Sequence, residues 1–259
     1  MRLVCAGLSD TGMVRDHNED NFHLSSTEAF IVVADGMGGH LSGEVASKMA
    51  IDEIVDYYAK TIDETAPIEL PPNWPHRKRK PDSREERRLI SGISNANSVV
   101  FKAAQEKDEY HGMGTTMVGA YFIEEGVFIG HVGDSRAYRF RDGKIAQISE
   151  DHSLANEYIR MGILKPSDLA SFPYKNVITR AVGLQDTVEV ETRFYEHKDG
   201  DIYLLCSDGL SDPVKVEQME SILSANKDDL AKACRELIIA ANTNGGPDNV
   251  TVLLAKTVY

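Results

Sequence analysis

The sequence predicts an α+β fold, with two stacked antiparallel β-sheets flanked by helices. Three observations carry this. Apolar runs of strand length recur along the whole chain, roughly ten of them. Tight turns join several, and Asp142-Gly143 is a strong hairpin signal. Four or more longer segments place apolar residues at helical spacing instead. Hairpins imply antiparallel pairing. Roughly ten strands most easily form two sheets face to face, covered by helices.

The elements follow in order. Residues 2–8 form a first strand, and 9–21 are polar and loop-like. Residues 22–25 and 30–34 flank Ser26-Thr27-Glu28 and read as a hairpin. Residues 42–60 carry Val45, Met49, Ile51, Ile54, Val55 and Tyr58, an apolar stripe that belongs in a core. Residues 61–81 contain Pro67, Pro71, Pro72, Pro75 and Pro81 and predict a surface loop or insertion, with Trp74 pinning it to the body. Ser83-Arg84-Glu85-Glu86 resembles a capping box, so a helix runs from there to about Lys107. Leu89, Ile93, Ala96, Val100 and Ala104 form its buried face. Residues 114–123, 126–132, 136–141 and 144–148 predict an antiparallel meander. Residues 151–180 are an irregular excursion with a short helix over 153–161. Strands at 188–195 and 201–206, helices at 213–223 and 228–241, a turn at 245–249 and a closing strand at 250–256 complete the chain.

Composition narrows the function. The chain has 259 residues, 42% hydrophobic and 27% charged, the profile of an ordinary globular protein with a substantial core. It has no interdomain linker and no internal repeat. No apolar run reaches the length of a membrane span, and the N-terminal run is broken by Ser9 and Asp10 too early for a signal peptide. Cys5, Cys206 and Cys234 are widely spaced among apolar neighbours, as free thiols of a cytoplasmic protein would be. The net charge of −13 argues against nucleic acid, which would be repelled. One basic island, His76-Arg77-Lys78-Arg79-Lys80 with Arg84, Arg87 and Arg88, reads as a solvated loop and helix face. The alternative is a docking patch for an acidic or phosphorylated partner.

The chemistry lies in the acidic residues. Asp35, Asp134, Asp208 and Asp248 each neighbour a glycine or a Gly-Pro turn at the edge of an apolar strand. Glu19-Asp20 is a further acidic site just before a strand. Alone, each is an ordinary turn, and Asp35 could be a helix cap. Together at converging strand ends they would repel one another unless cations neutralised them. Donors that are all oxygen select hard cations, Mg2+ or Mn2+. Arg15 beside such a cluster suits phosphate: metals would screen the anion and activate a water, and the guanidinium would grip its oxygens. Rival readings are another metal hydrolase, such as a nuclease or small-molecule phosphatase, and a non-catalytic phospho-binding protein.

Arg15-x-x-x-Glu19-Asp20, Val33-Ala34-Asp35-Gly36-Met37-Gly38-Gly39, Gly114-Thr115-Thr116, Gly133-Asp134-Ser135-Arg136, Ser207-Asp208-Gly209 and Asp248-Asn249 occur in a telling order. It is the order found in the metal-dependent protein phosphatase 2C (PPM) family. The chain resembles that family over almost its whole length. With Asp-Gly-Met-Gly-Gly-His at 35–40 it is similar to the bacterial branch. The resemblance implies one domain over residues 1–259, with an insertion loop at about 61–82 and a flap at about 151–180. It implies a centre of two Mn2+ or Mg2+ ions, with a third held more weakly. The expected activity is hydrolysis of phosphoserine and phosphothreonine in proteins, opposing a serine/threonine kinase and acting on its targets. A monomer is the expected state, with neither nucleic acid nor membrane as partner.

Position by position, Asp35 looks like the ligand shared by two metals, and Gly36 would lend its backbone carbonyl. Asp208 and Asp248 resemble the other carboxylates of one ion, and Glu19 that of the second. Asp134, with Asp208, is similar to the residues that hold the third. Arg15 resembles the phosphate-binding arginine, and Asp20 and Asn249 would support the ligands. Many eukaryotic relatives carry a histidine directly after Asp-Gly, proposed there as general acid. Here Met37 stands in that place; His40, three residues on, is the candidate replacement, and the alternative is that a metal-bound water protonates the leaving alkoxide. No expected carboxylate is missing, which argues against a non-catalytic binder. His17 and His131 read as structural.

Overall fold

The computed structural model describes residues 1–25, 29–39, 42–62, 67–71 and 83–259. In chain order the strands and α-helices are β1 (Arg2–Asp10), β2 (Asp20–Ser25), β3 (Phe30–Met37), α1 (Ser42–Lys60), α2 (Arg84–Glu106), β4 (Gly114–Thr115), β5 (Met117–Phe122), β6 (Gly126–Val132), β7 (Arg136–Arg141), β8 (Lys144–Gln147), α3 (Leu154–Arg160), β9 (Glu191–Glu196), β10 (Ile202–Cys206), α4 (Asp208–Ser211), α5 (Val216–Asn226), α6 (Leu230–Thr243) and β11 (Val250–Val258). One sheet has the order β1-β11-β10-β7-β8, the other β2-β3-β5-β6-β9, with β4 added against β3. The strand pairings are antiparallel.

The layers explain why the strands read as unbroken apolar runs. Ile31 and Val33 of β3 face Tyr203 and Leu205 of β10 and Leu253 of β11 across the space between the sheets. Phe30, Val32 and Ala34 point the other way, onto α1 and α2. On the far side, Leu204, Cys206 and Val252 meet α5 and α6. Each central strand is covered on both faces, so it has no polar alternation to show. The result is helix, sheet, sheet, helix, as expected.

Several local readings change. The predicted hairpin of β2 with β3 forms, and so do the two within the expected meander, β5 with β6 and β7 with β8, but these two lie in different sheets. There is no single meander. The chain crosses between sheets at Gly133-Asp134-Ser135, and Gly133 makes the turn at φ +104°. Residues 114–123 are broken at Thr116, whose main and side chains both turn to β3: Thr116 N–H donates to Asp35 O (2.8 Å) and Thr116 Oγ1 accepts from Asp35 N–H (3.2 Å). The buried face of α1 is rotated from the predicted stripe. Ala46, Ala50, Ile51, Ile54 and Tyr58 are buried, while Val45, Met49 and Val55 are only partly so. Small residues line the face because the helix lies close on the sheet. The strand expected from 188 begins at Glu191, and the helix expected over 213–223 is α5, preceded by the short α4.

The basic island is not uniformly solvated. Ser83 caps α2, accepting from Glu86 N–H at 3.0 Å. One turn on, Arg88 is 6% exposed. It donates to Tyr58 O (2.8 Å), Thr61 Oγ1 (3.1 Å) and Tyr121 Oη (3.0 Å), and lies over the Tyr58 ring. Arg84 donates to Thr61 O at 2.9 Å. These two arginines satisfy carbonyls at the end of α1, where helix geometry leaves acceptors free and the dipole favours a cation. Among the described members of the island, Arg87 is the exposed one. Ile68 is buried and Leu70 packs on the same core, which holds the described part of the insertion to the body. Trp74, His76–Lys80, the turn at 26–28 and His40 lie outside the described residues. Among the described residues no helix is long and apolar enough to cross a membrane, and the three cysteines are free.

Replacing Arg88 by Met keeps the stem and removes the donors, leaving buried acceptors unpaired. Arg88→Met should destabilise the protein by about 2–4 kcal/mol. Arg87→Met should stay within about 0.5 kcal/mol. Urea unfolding followed by circular dichroism checks both, and equal losses would contradict the assignment.

Candidate active site

Antiparallel pairing puts the end of one strand beside the start of its neighbour, and the acidic residues sit at such ends. Asp35 near the end of β3 is in register with Asp20 at the start of β2. Asp208 follows β10, and Asp248 precedes β11, its neighbour in the other sheet. Asp134 lies on the crossover between sheets. Stacking then gathers all of them at one end of the sandwich, where Asp35 feels the charges of Asp20, Asp208, Asp134 and Asp248.

The approach is close because two glycines allow it. A Cβ on Gly36 would lie 2.1 Å from Gly43 O, and one on Gly209 would lie 1.9 Å from Asn249 O. No side chain fits at either place, so the backbones carrying Asp35 and Asp208 press directly on neighbouring turns.

Short polar side chains hold the rest. Ser207 Oγ donates to Asp20 Oδ2 (2.7 Å) and accepts from Thr251 N–H (2.9 Å). Thr115 Oγ1 donates to Asp35 O at 2.8 Å, and Thr116 Oγ1 lies 2.7 Å from Ser135 Oγ. Asn249 Oδ1 accepts from Glu19 N–H (2.8 Å), and its Nδ2 donates to Thr11 O (2.9 Å) and His17 O (2.8 Å). One asparagine thereby ties the loop bearing Arg15 and Glu19 to the start of β11. The Glu19 carboxylate accepts from Gly43 N–H in the first turn of α1, where the helix dipole favours an anion. Arg15 Nη2 donates to Asp248 Oδ2 at 2.7 Å, with half of its side chain exposed at the rim.

The electrostatics are those of crowded acids. Asp35 is half-buried as a residue, but its carboxylate turns inward. Burial and then its four acidic neighbours push its pKa well above the usual carboxylate range. Asp20 rises to about 7, from burial foremost and then the charges of Asp208 and Asp248. Asp134 rises to about 7, from burial and then Asp208 and Asp151. Asp208 rises to about 6, from burial and then Asp248 and Asp212. Glu19 is also raised, chiefly by burial. Asp20 Oδ1 is buried without a hydrogen-bond partner among the described residues. Carboxylates that raise one another's pKa and supply only oxygen donors fit hard divalent cations.

Of the residues singled out in the sequence, Asp35, Asp134, Asp208, Asp248 and Asp20 come together, and Glu19 joins Arg15 beside Asp248. His40 lies outside the described residues, and Met37 is half-buried. His131 is buried, as a structural histidine would be, but His17 is exposed and contributes a backbone carbonyl to Asn249. The roles of Ser207, Thr115, Thr116 and Gly43 were not read from the sequence. Ser207 and the two threonines stand in quoted motifs, and a short hydroxyl next to a carboxylate turn is the signal that could have marked them. Beside the cluster is a cavity of about 350 Å³. Asp134 and Asp208 form one wall, and Asn156, Ser167, Lys175 and Asn176 of the excursion form the other.

Fold and site together define a class: helix-flanked β-sandwich proteins with a buried acid cluster where both sheets end. The chain belongs to the protein phosphatase 2C family, whose model matches residues 14–254. By class it is a serine/threonine phosphatase. It is 37% identical over 251 residues to serine/threonine phosphatase stp of Listeria monocytogenes, covering 96% of this chain and 93% of that protein. It is 34% identical over 256 residues to serine/threonine protein phosphatase PstP of Mycobacterium tuberculosis, covering 99% of this chain and 45% of that one. The crystal structure of M. tuberculosis PstP matches with a TM-score of 0.85 at 32% identity, over 100% of both chains. A structure of the PstP catalytic domain in complex with two manganese ions matches with a TM-score of 0.79 at 32% identity, over 100% of this chain and 99% of that one.

The raised carboxyl pKa values set a pH dependence. Each such group holds its proton to higher pH in the folded chain than in the unfolded one. The stability it contributes is present at low pH and lost as pH rises through the folded value. His131, lowered to about 4 by burial from 6.5, works in the opposite sense, but only below 6.5. Between pH 6.5 and 8 the acids titrating at about 7, Asp20 and Asp134, therefore dominate among these groups. The melting temperature of EDTA-treated protein should fall across that window. The gain on adding Mn2+ should be larger at pH 8, because the ligands bind deprotonated. A melting temperature that is flat or rises in EDTA would contradict the cluster.

Proposed function

We propose that this chain hydrolyses phosphoserine and phosphothreonine in proteins at a binuclear Mn2+ or Mg2+ centre, opposing a serine/threonine kinase. One observation carries the reading: the Asp35 carboxylate is buried among Asp20, Asp208, Asp134 and Asp248. Such a set is stable at neutral pH with cations between its members. The manganese pair in the PstP structure supports the same account.

In this reading Asp35, Asp208, Asp248, Glu19 and the Gly36 carbonyl would hold a pair of ions, with Asp35 contributing to both, and Asp134 with Asp208 would hold a third. When bound, the ions supply positive charge and a water acidic enough to act as nucleophile near neutral pH. The chain's own groups do the rest. Arg15, at the exposed rim, takes phosphate oxygens in a charge-assisted contact and orients phosphorus toward the cluster. Asn249 and Gly43 keep Glu19 aimed inward, and Ser207 fixes Asp20. The cavity between the cluster and the excursion receives the peptide on either side of the phosphorylated residue. His40 is our candidate donor of the proton that the departing seryl or threonyl oxygen needs. Net charge −13 turns nucleic acid away. We place the protein in the cytoplasm as a monomer, with residues 1–259 acting as one phosphatase domain.

Phosphate release from a phosphothreonine peptide tests this. Native protein with Mn2+ should turn over the peptide and not nucleic acid, and EDTA should abolish the activity. Asp35→Ala should lower kcat by at least about 10²–10³-fold while the protein stays folded, the scale of losing a main electrostatic element. A fully active Asp35→Ala protein would refute the site.

Arg15→Ala removes a charged hydrogen bond to phosphate, worth about 1.5–3 kcal/mol. It should lower kcat/KM by roughly 10–100-fold and weaken inhibition by inorganic phosphate to a similar degree. Unchanged phosphate inhibition would remove Arg15 from its assigned role.

A further inference from the structure

His131 and His152, both buried, and the half-buried Glu191 form a group beside the carboxylate cluster, with ligand-type atoms within 4.8 Å of one another. That spacing suits a cation, but two features argue against one. The imidazoles are stacked, with centroids 4.7 Å apart and planes 16° from parallel. A metal lies in the plane of each imidazole that binds it, and the in-plane lone pairs of stacked rings do not converge. Positive charge is also already present. Arg180 Nη1 is 3.4 Å from His152 Nε2, and Arg193 Nη2 donates to Glu191 Oε1 at 2.9 Å.

The bonds of His152 show another use. Gly133 N–H donates to His152 Nδ1 at 3.1 Å, and His152 N–H donates to Gly133 O at 2.9 Å. His152 takes both polar groups of the residue just before Asp134. With its Nδ1 lone pair taken by Gly133 N–H, a neutral His152 carries its proton on Nε2, facing Glu191 Oε2 at 3.5 Å, and Arg180 Nη1 at 3.4 Å from Nε2 is then a close charge contact and not a hydrogen bond. Gly133 needs this support. It sits at φ +104°, with no room for a Cβ against Thr116. His152 also stands where the excursion starts and returns. Its carbonyl accepts from Thr179 N–H (2.8 Å), Leu154 N–H donates to Val177 O (2.8 Å), and Ser153 pairs with Ile178. These bonds close a neck under the segment that walls the cavity.

We propose that His152 is a positioning residue: through Nδ1 it fixes Gly133, aims the Asp134 carboxylate at Asp208, and ties that carboxylate to the neck of the cavity wall. The proposal rests on the reading of Asp134 and Asp208 as cation ligands. Its consequence is that the weakest cation site and the grip on peptide substrate share one support.

The test compares His152→Asn with His152→Gln in the full chain. Asn places its amide oxygen where Nδ1 stands and keeps the bond to Gly133. Gln places its polar end where Nε2 stands and loses it. Mn2+ binding is read by calorimetry, with kcat and KM for a phosphothreonine peptide. In His152→Gln the weakest Mn2+ site should weaken by about 10–100-fold, the usual effect of removing a ligand's support, with the tight pair nearly unchanged. His152→Asn and Glu191→Gln should stay within about threefold of native, well inside that range. Equal binding by the Asn and Gln variants, or loss in Glu191→Gln, overturns the proposal. The native protein gives a readout that needs no variant. Nitrogen NMR should show His152 with its proton on Nε2, and a proton on Nδ1 overturns the proposal. An Asp134→Ala chain with native Mn2+ binding would instead remove the underlying cation reading.

Discussion

Like charges held together out of water repel, and this structure is arranged around holding five aspartates and a glutamate together. At an effective dielectric of about 20, two carboxylates about 5 Å apart repel by about 3 kcal/mol. A whole domain is stable by only about 5–15 kcal/mol. Such a cluster would spring open if its members stood on loops. Instead Asp35 and Asp20 stand on paired strands. Asp208 and Asp248 flank neighbouring strands, with Gly209 pressed on Asn249. Behind them lies the apolar layer between the sheets, with Ile31, Val33, Leu205 and Leu253 fully buried. Separating the carboxylates would mean separating the sheets.

The surrounding polar groups follow the same logic. Glu19 is turned inward by the first turn of α1, and Ser47 Oγ, also on α1, donates to the Glu19 carbonyl at 2.5 Å. The small residues on the buried face of α1 are part of this device, since a larger side chain at Gly43 would strike the Glu19 carboxylate. Arg15 is the contrast. It lies on a loop and is half exposed. Rigid strands suit groups that must not move apart, and an exposed arginine suits a group that must reach an incoming anion.

Much of this was legible because strand ends carry chemistry in recognisable residues. Asp35, Asp208 and Asp248 each follow or precede an apolar run, and antiparallel hairpins imply that such ends meet. What stayed hidden has common physical causes. A strand covered on both faces shows no alternation, so nothing in residues 126–141 announces that the chain changes sheets at Gly133. A helix close to a sheet buries Ala46 and Ala50 rather than Val45 and Met49, so the largest apolar residues do not mark the contact face. Arg88 looked solvated because charge is a poor guide when the partners are carbonyls of a distant helix end. Ser207 and Thr116 matter through single hydrogen bonds, which leave no periodic trace.

The unseen crossover also separates Asp134 from the other acids. Asp35 and Asp20 hold register partners, and Asp208 and Asp248 stand beside strands that pair directly. Asp134 follows the last residue of β6 by two positions and belongs to neither sheet's ladder. The repulsion acts on it as on the rest, since Asp208 is the leading charge raising its pKa. A carboxylate on a connection must therefore be held from outside the sheets. The residues in place to do so come from the excursion: His152 grips Gly133, and Asp151 takes Arg136 in a pair of bonds at 2.9 and 2.7 Å. The part of the cluster least fixed by the sandwich is thus the part fixed by the cavity wall. Asp134 and Asp208 both line the cavity, and Asp134 is the one of the two whose neighbouring backbone is also held by the excursion.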